Sequence, residues 1–553
     1  MPEPRTGTRP DPRAGSPSTA RPGDPAAADL QAATDLRAAA DLPVDAVGAA
    51  WLDAAEPDGG AAGGYVRLDA IVREACARFG NRTALRQGTE RLTYADLGGA
   101  VARLATALDR ALASGPERDR VAVCARNSID YVLSYLALLS TGRVPFLVDV
   151  AFGRTEIEAI RTGCGVTAFL TDASAAGDFP LGGEVAPVEG SRHALVSLEA
   201  SGEPPALLPD TAVCRFTSGT TGVPKCLEFS GSAVLSAARN WVAGTGLDGR
   251  DRTLCLAAFT NGLAFNTSLL SSLLVGAEIV LHTGPPTSAR IARTLADSGA
   301  TRMVAFPLVY RTLAGSELCA DRLGGLDLAI SAGAELPAAT RARFEHRFGV
   351  RIADYYGVAE AGPCTFERDP EYRRGLGTPL PGVTLRPRRR PDGATEILLR
   401  TASMASRYLN APGELERRLD PDGFYATGDL GHLADGRLFI TGRVAGVINL
   451  AGRKIDPHEV EGVVRTIDGV RDAVLFADAD ADGQTVLHMA VAGDRPLARA
   501  DVLAGCRGRL AAYKVPQRIS FLPEIPRSSA GKVRLNDLKA AVAAAASERE
   551  STR

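Results

Sequence analysis

The chain has 553 residues, 45% of them hydrophobic, and a net charge of −2, so it is long enough for about three or four domain-sized units with sizeable cores. The nearly balanced charge gives no basic field for nucleic-acid binding, and no apolar run approaches the roughly 18 residues that predict a membrane span. Nine scattered cysteines without a Cys-x-x-Cys pair argue against a zinc site or a disulfide framework, so we expect reduced thiols and a cytoplasmic location.

The first 64 residues are predicted to be a disordered or loosely helical extension, since they begin with a stretch rich in Pro, Arg and Ala. The globular chain is expected to start near Tyr65. Leu97, Val101, Leu104 and Leu108 recur at helical spacing. From Arg120 onwards short apolar strands alternate with helices, which predicts an α/β fold with doubly wound, parallel sheets.

The pattern changes between Gly377 and Gly442, where Pro and Gly punctuate short strands, so we predict a small β-rich subdomain. We place the end of the large domain at Arg443, giving a large domain over residues 65–443. A small, mobile α+β domain is expected over 444–541, followed by a disordered tail over 542–553. Within the small domain, Asp456-Pro-His-Glu459 predicts a helix start, with Asp as N-cap, Pro first and Glu third.

One loop is more informative than any other stretch: Thr217, Ser218, Gly219, Thr220, Thr221, Gly222, Val223, Pro224 and Lys225. Its backbone N–H groups, hydroxyls and single ammonium suit a polyphosphate. The order of its residues differs from Gly-x-x-x-x-Gly-Lys-Ser/Thr, so it is not the usual phosphate-binding loop.

Further motifs follow this loop in order: Tyr355-Tyr-Gly-Val-Ala-Glu-Ala-Gly362, Tyr425-Ala-Thr-Gly-Asp-Leu430, Gly442-Arg443, Gly452-Arg-Lys-Ile-Asp-Pro-His-Glu459 and Pro526-Arg-Ser-Ser-Ala-Gly-Lys532. Together they resemble the adenylate-forming superfamily of acyl-CoA synthetases, nonribosomal-peptide adenylation domains and luciferases. The resemblance covers about residues 66 to 540. It implies that a carboxylate attacks the α-phosphate of Mg-ATP and that the acyl-adenylate then passes its acyl group to a thiol or another nucleophile.

The resemblance also assigns roles in nucleotide binding. The loop from Thr217 to Lys225 would hold the β- and γ-phosphates, and Asp429 would accept hydrogen bonds from both ribose hydroxyls. Arg443 would contact ribose or phosphate. Tyr356 would stack near adenine, with a plain core position as the open alternative.

Two residues carry the chemistry that the resemblance implies. Glu360, together with Thr220, would bind Mg²⁺, which prefers hard oxygen ligands. Lys532, in the small domain, would bridge the acid's carboxylate and the α-phosphate. Both would act by positioning and charge neutralisation, on which phosphoryl transfer mostly depends.

The stretch from Phe259 to Ser268 corresponds to the acyl-pocket segment of the family. Asn261 and Asn266 are the candidate pocket residues on it, with Gly333 and Gly357 elsewhere. Neither a His near 261 nor an Asp near 266 is present, which disfavours a standard α-amino acid as substrate. The open alternative is that both asparagines serve only local helix capping.

Two positions depart from the family pattern. Ala359 stands where Thr is usual and loses a hydroxyl donor, worth roughly 1–3 kcal/mol if unreplaced. Ala445 occupies the pivot position between the domains, without the usual polar residue. We therefore expect a specialised member.

The expected activity is that of a freestanding, AMP-forming acid–thiol ligase that uses ATP, Mg²⁺ and a small carboxylic acid, with CoA as acceptor. Too few residues follow Lys539 for a fused carrier domain. A discrete phosphopantetheinyl carrier protein is the first alternative acceptor and an amine is the second. A non-catalytic nucleotide-binding homologue is the remaining alternative.

Overall fold

The computed structural model describes residues 65–113, 120–217, 223–318, 323–333, 336–367, 375–391, 393–444, 448–480, 483–526, 533 and 535–551. All of them belong to one compact unit, Ala50–Arg553. The predicted N-terminal extension, residues 1–64, lies outside the described residues. Within these ranges no helix is long and apolar enough to cross a membrane.

The large domain contains a nine-stranded sheet whose central strands are parallel and whose edges are antiparallel. In spatial order its strands are Thr378–Pro379, Gly362–Phe366, Ile352–Val358, Leu328–Ser331, Arg302–Ala305, Arg252–Cys255, Glu278–Leu281, Thr83–Gln87 and Glu90–Thr93.

A second, eight-stranded sheet is also mixed, with a parallel centre. In spatial order its strands are Arg407–Tyr408, Lys225–Ser230, Thr211–Thr217, Val144–Leu147, Arg120–Cys124, Ala168–Asp172, His193–Ser197 and Glu184–Pro187. The prediction of doubly wound α/β sheets is confirmed. Antiparallel edge strands, common on large parallel sheets, were not foreseen.

Helices cover both sheets: Leu68–Phe79, Tyr94–Ala111, Ile129–Ser140, Arg154–Cys164, Gly231–Thr245, Gly262–Ala264, Leu270–Val275, Ser288–Ser298, Pro307–Ala314 and Ala338–Phe348. The predicted helix after Leu92 begins with a capping box. Thr93 Oγ1 accepts from the Asp96 N–H at 3.1 Å, and Asp96 accepts from the Thr93 N–H at 3.2 Å. Leu97, Leu104 and Leu108 on its inner face are buried.

The β-rich subdomain is a four-stranded antiparallel sheet, as the Pro and Gly punctuation predicted. Its strands are Val383–Arg389, Thr395–Thr401, Tyr425–Ala434 and Arg437–Arg443.

The C-terminal part is α+β, as expected. A hairpin pairs Ile448–Leu450 with Arg453–Ile455, and a three-stranded sheet contains Val470–Ala479, Thr485–Gly493 and Arg518–Leu522. Three helices accompany them: Pro457–Arg465, Arg499–Cys506 and Leu535–Ser551.

One expectation for the C-terminal part needs correction. We expected a disordered tail from residue 542, but the last helix runs on to Ser551. Its alanines favour helix, and Leu538 and Val542 are buried against the three-stranded sheet. Asp456 and Pro457 start their helix as predicted, whereas the Glu459 carboxylate accepts a 2.5 Å hydrogen bond from Lys514.

The C-terminal part contacts the large domain through charged and small residues. Arg453 pairs with Asp149 at 3.1 Å, and Arg311 pairs with Asp480 at 2.5 Å. Lys514, which is 1% exposed, lies 3.7 Å from Glu156.

Candidate active site

The loop from Thr217 to Lys225 is anchored by described residues at both ends. Thr217 ends one strand and Lys225 begins the next, and the two are directly opposite in an antiparallel pair. Asn410 fixes the second end, because its side chain donates to the Pro224 carbonyl and accepts from the Cys226 N–H, both at 2.8 Å. The ammonium of Lys225 forms an ion pair with Glu414 and lies 6.0 Å from the centre of the Tyr408 ring.

Glu360 lies in the tight turn between the strands Ile352–Val358 and Gly362–Phe366. Gly362, with φ of 76°, allows that turn. The Glu360 carboxylate is 3% exposed and accepts a 2.7 Å hydrogen bond from the Tyr408 hydroxyl. Arg418 lies 3.9 Å from the same oxygen. This carboxylate is therefore buried, oriented and charge-compensated.

Asp429 lies on the strand Tyr425–Ala434, after Gly428, which has φ of 77°. Thr427 holds this turn: its hydroxyl donates to the Ile397 carbonyl at 2.7 Å and accepts from the Asp429 N–H at 3.0 Å. The Asp429 carboxylate in turn accepts a 2.6 Å hydrogen bond from the Tyr356 hydroxyl. Tyr356 is half-buried, so it is neither free nor a plain core residue.

Three tyrosine hydroxyls lie near the two carboxylates: those of Tyr408 and Tyr425 near Glu360, and that of Tyr356 near Asp429. Burial raises the pKa of the Tyr408 and Tyr425 hydroxyls, and the charge of Glu360 raises both further. Burial also raises the pKa of Tyr356, to which Asp429 adds. The three phenols therefore stay protonated at neutral pH, and those of Tyr408 and Tyr356 can donate to the two carboxylates.

The two candidate pocket asparagines differ. Asn261 caps the helix that follows it, since its side-chain oxygen accepts from the Leu263 N–H at 2.9 Å. Asn266 is 4% exposed and lies in a π-helical turn, Phe265–Leu269. Its amide nitrogen has no hydrogen-bond partner among the described residues. Asn261 therefore serves local helix capping, whereas Asn266 does not cap a helix.

Gly333 and Gly357 are positions where no side chain fits. A Cβ at Gly333, whose φ is 83°, would lie 2.7 Å from the Phe306 ring and 3.1 Å from Gly452 Cα. A Cβ at Gly357 would lie 2.6 Å from the Gly362 carbonyl oxygen. Gly452 belongs to the C-terminal hairpin, whose Asn449 side chain also donates to the Gly333 carbonyl.

Several predicted site residues lie outside the described part of the chain. They are Ser218, Gly219, Thr220, Thr221 and Gly222 of the loop, the pivot Ala445, and Lys532. The backbone of Arg443 is described and pairs with Asp429 across the strands, but its side chain is not described. Their assigned roles stay predictions.

Sequence reasoning missed four side chains at this site. Tyr408, Glu414 and Arg418 contact Glu360 or Lys225 from a segment more than 40 residues downstream, which spacing alone does not indicate. Arg215 was detectable, because an arginine inside the apolar strand Val213-Cys214-Arg215-Phe216 is unusual. It is 5% exposed, and its Nη2 donates to the Ala359 carbonyl at 3.5 Å.

Comparison with known proteins agrees with this geometry. Residues 72–409 match the family model described as AMP-binding enzyme, and residues 459–532 match that of the AMP-binding enzyme C-terminal domain. A 3-hydroxybenzoate–CoA/4-hydroxybenzoate–CoA ligase of Thauera aromatica is 28% identical over 505 residues, covering 85% of this chain and 96% of the relative.

Triostin synthetase I of Streptomyces triostinicus is 30% identical over 515 residues, covering 86% of this chain and 94% of the relative. Among solved structures, a malonyl-CoA ligase in a ternary product complex with methylmalonyl-CoA and AMP superposes with a TM-score of 0.68 at 27% identity. That match covers 81% of this chain and 97% of the solved one.

Proposed function

Because the chain belongs to the AMP-binding enzyme family, we propose that it activates a carboxylic acid with ATP and transfers the acyl group to the thiol of CoA. The acid's carboxylate oxygen attacks the α-phosphorus, and the bond to the departing pyrophosphate breaks. The thiol sulfur then attacks the acyl carbon and AMP leaves. The product is a thioester.

One observation carries this proposal: Lys225, the Glu360–Tyr408 pair and the Asp429–Tyr356 pair are all buried or half-buried, and Tyr408 links the first two, because it donates to Glu360 and its ring lies 6.0 Å from the Lys225 ammonium. A cation for phosphate, a hard carboxylate and an ionised acceptor for ribose hydroxyls are the groups that ATP requires. Lys225 and Glu360 are 135 residues apart in the chain and Glu360 and Asp429 are 69 residues apart, so their place in one domain results from folding.

The carboxylate donor set suits Mg²⁺. No group of three or more His, Cys, Asp or Glu that would hold a metal occurs in the described part of the chain. Mg²⁺ needs no such group, since it is commonly bound by one or two carboxylates together with substrate phosphates and water. We assign Glu360 as its protein ligand, with Thr220 beside it. When bound, Mg²⁺ neutralises charge that develops on the phosphate oxygens.

Lys532 is assigned to the α-phosphate, where its ammonium would offset charge as the carboxylate attacks. Supporting this assignment is its place in Pro526-Arg-Ser-Ser-Ala-Gly-Lys532, at the end of the C-terminal domain match. We assign the C-terminal hairpin to the second step, and its contacts with the pocket residue Gly333, through Gly452 and Asn449, support a place beside the acyl group.

CoA is preferred as acceptor because curated relatives over most of the chain are named as CoA ligases, including those for hydroxybenzoates and indoleacetate. A discrete carrier protein is the second candidate acceptor. We also place the enzyme in the cytoplasm, which is supported by the eight described cysteines being free and buried.

The test is acid-dependent ATP–pyrophosphate exchange over aliphatic, aryl and dicarboxylic acids, followed by addition of CoA, a phosphopantetheinyl carrier protein or amines. We expect exchange with at least one acid and an acyl-CoA product by mass spectrometry. Absence of exchange with every acid would overturn adenylation. If exchange occurs but no acyl-CoA forms, CoA is not the acceptor, and the carrier protein or amine that does react takes its place in the proposal. Lys532→Ala is expected to bind ATP while losing exchange.

A further inference from the structure

Arg215 is a cation placed inside an apolar core. Its strand neighbours in register are Leu147 and Leu227, both buried. Its guanidinium carbon lies 4.2 Å from the centre of the Phe229 ring and 5.1 Å from that of Phe265. Cation–π contacts of this kind stabilise the charge only partly, because a desolvated cation loses far more hydration energy than two rings return.

Polar partners for this guanidinium are few. Beyond the 3.5 Å contact with the Ala359 carbonyl, its Nε–H has no hydrogen-bond partner among the described residues, and none of their carboxylates lies within ion-pair distance. The charged or titratable groups that face it are Tyr355, Tyr135 and Glu360. Burial lowers the pKa of Arg215 to about 10, so it stays protonated at neutral pH.

Asn266 brings a second unused donor to the same place. Its amide nitrogen would lie 3.5 Å from a Cβ at Gly262 and 2.8 Å from a Cβ at Gly362. Arg215 Nη1 would lie 2.9 Å from that same Cβ at Gly262. Two buried donors therefore lie against the same glycine, Gly262, where no Cβ separates them, in the segment assigned to the acyl pocket.

The π-helical turn is what directs Asn266 there. Single π turns within α-helices are rare and frequent at functional sites. The turn Phe265–Leu269 interrupts the helix between Ala264 and Leu270, and it supplies both Phe265 under the guanidinium and Asn266 beside it. Tyr135 Oη, whose ring packs edge-on at 5.6 Å from that of Phe265, also has no partner among the described residues.

We propose that Arg215 and Asn266 recognise a second carboxylate on the acid that this enzyme activates, so that its substrates are dicarboxylic acids. The inference rests on the proposed adenylation. A carboxylate supplies what the site lacks, since it is an acceptor for both donors and a counter-charge for the guanidinium. Arginine is also the residue best suited to pair with a carboxylate in a desolvated site.

The test compares dicarboxylic acids of several lengths, each with an analogue in which the distal carboxylate is a methyl group. By kcat/KM for exchange, the wild-type enzyme is expected to prefer its best diacid over the analogue by about 100-fold or more, as in sites built to pair a polar group. Arg215→Met should abolish that preference through a rise in KM for the diacid, and Arg215→Lys should partly restore it. Asn266→Leu should reduce the preference less.

Arg143→Met is the matched control, because Arg143 is also buried but is paired with Asp109. It should lower stability without changing acid preference. Circular dichroism and the Tm verify that each variant folds. Direct diacid binding, measured by calorimetry without ATP, separates this inference from adenylation: the wild type should bind and Arg215→Met should not. Equal use of analogue and diacid, or equal diacid binding by both proteins, would overturn the inference.

Discussion

The hydroxyl of Tyr356 donates a 2.6 Å hydrogen bond to the carboxylate of Asp429, joining two motifs that are 73 residues apart in the chain. The bond fixes one oxygen of the acid that we assign to the ribose hydroxyls. It also ties the turn that bears Glu360 to the β-rich subdomain. Nucleotide binding is therefore expected to depend on Tyr356 through Asp429.

Tyr356→Phe is expected to raise KM for ATP about 10-fold, the effect of losing one hydrogen bond to a charged group. The value of kcat should change much less, since the carboxylate itself remains. Tyr310→Phe deletes the same atom from a buried tyrosine that donates to the Ile330 carbonyl, and it should lower the Tm without moving KM. An unchanged KM in Tyr356→Phe would contradict the role given to Asp429.

Glu360→Gln is expected to reduce exchange by at least about 100-fold and to raise the Mg²⁺ concentration needed for half-maximal rate, because an amide is a weaker ligand for a hard cation. Magnesium titration of the exchange rate measures both effects. The control is Glu367→Gln, which removes a buried carboxylate paired with Arg437. If Glu360→Gln and Glu367→Gln need the same Mg²⁺ concentration for half-maximal rate, Glu360 is not a ligand of Mg²⁺.

Glu414→Gln is expected to tighten ATP binding by about 3- to 10-fold. Lys225 is ion-paired with Glu414, and this pair must break before the ammonium reaches phosphate. Both side chains are partly exposed, so the gain stays near that of a surface pair, about 1 kcal/mol. Calorimetric titration with ATP measures it. Glu416→Gln makes the same charge change on an exposed neighbour and should have no effect. Weaker binding by Glu414→Gln would show that the carboxylate assists ATP instead.

Gly452→Ala is expected to slow acyl transfer at least about 10-fold while leaving pyrophosphate exchange within about twofold. A Cβ there would lie 2.3 Å from the Phe306 ring, and Gly452 has φ of 82°, so the hairpin cannot contact Phe306 and Gly333 as it does now. Single-turnover formation of acyl-CoA from preformed adenylate reports the second step. Gly462→Ala, which meets no atom within 4 Å, is the control. Equal losses in both steps would exclude a hairpin role specific to transfer.

Sequence patterns predicted the fold better than the site. Strand–helix alternation from Arg120 onwards predicted the doubly wound, largely parallel sheets of the large domain. Motif order predicted Glu360, Asp429 and Lys225 as site residues, because each belongs to a short, recognisable run of residues. Spacing did not predict Glu414 or Arg418, since their contacts depend on how a long connection folds back. Nor did it predict the π turn at Asn266, which no residue preference marks.

For the C-terminal tail, residues 542–553, the sequence predicted too little structure. A run of alanines with few large apolar residues suggested disorder, yet two buried side chains, Leu538 and Val542, attach the helix to the sheet. Helix propensity and a narrow apolar face together outweighed low average hydrophobicity.

The ammonium of Lys514 is shared between two carboxylates that belong to different domains. It bonds Glu459 of its own domain at 2.5 Å and lies 3.7 Å from Glu156 of the large domain. If the small domain rotates between the two reaction steps, Lys514 keeps one counter-ion and only Glu156 must be rehydrated. An unpaired buried charge, which would cost several kcal/mol, is never created. The contact between the domains can thus break and re-form in every catalytic cycle at little energetic cost.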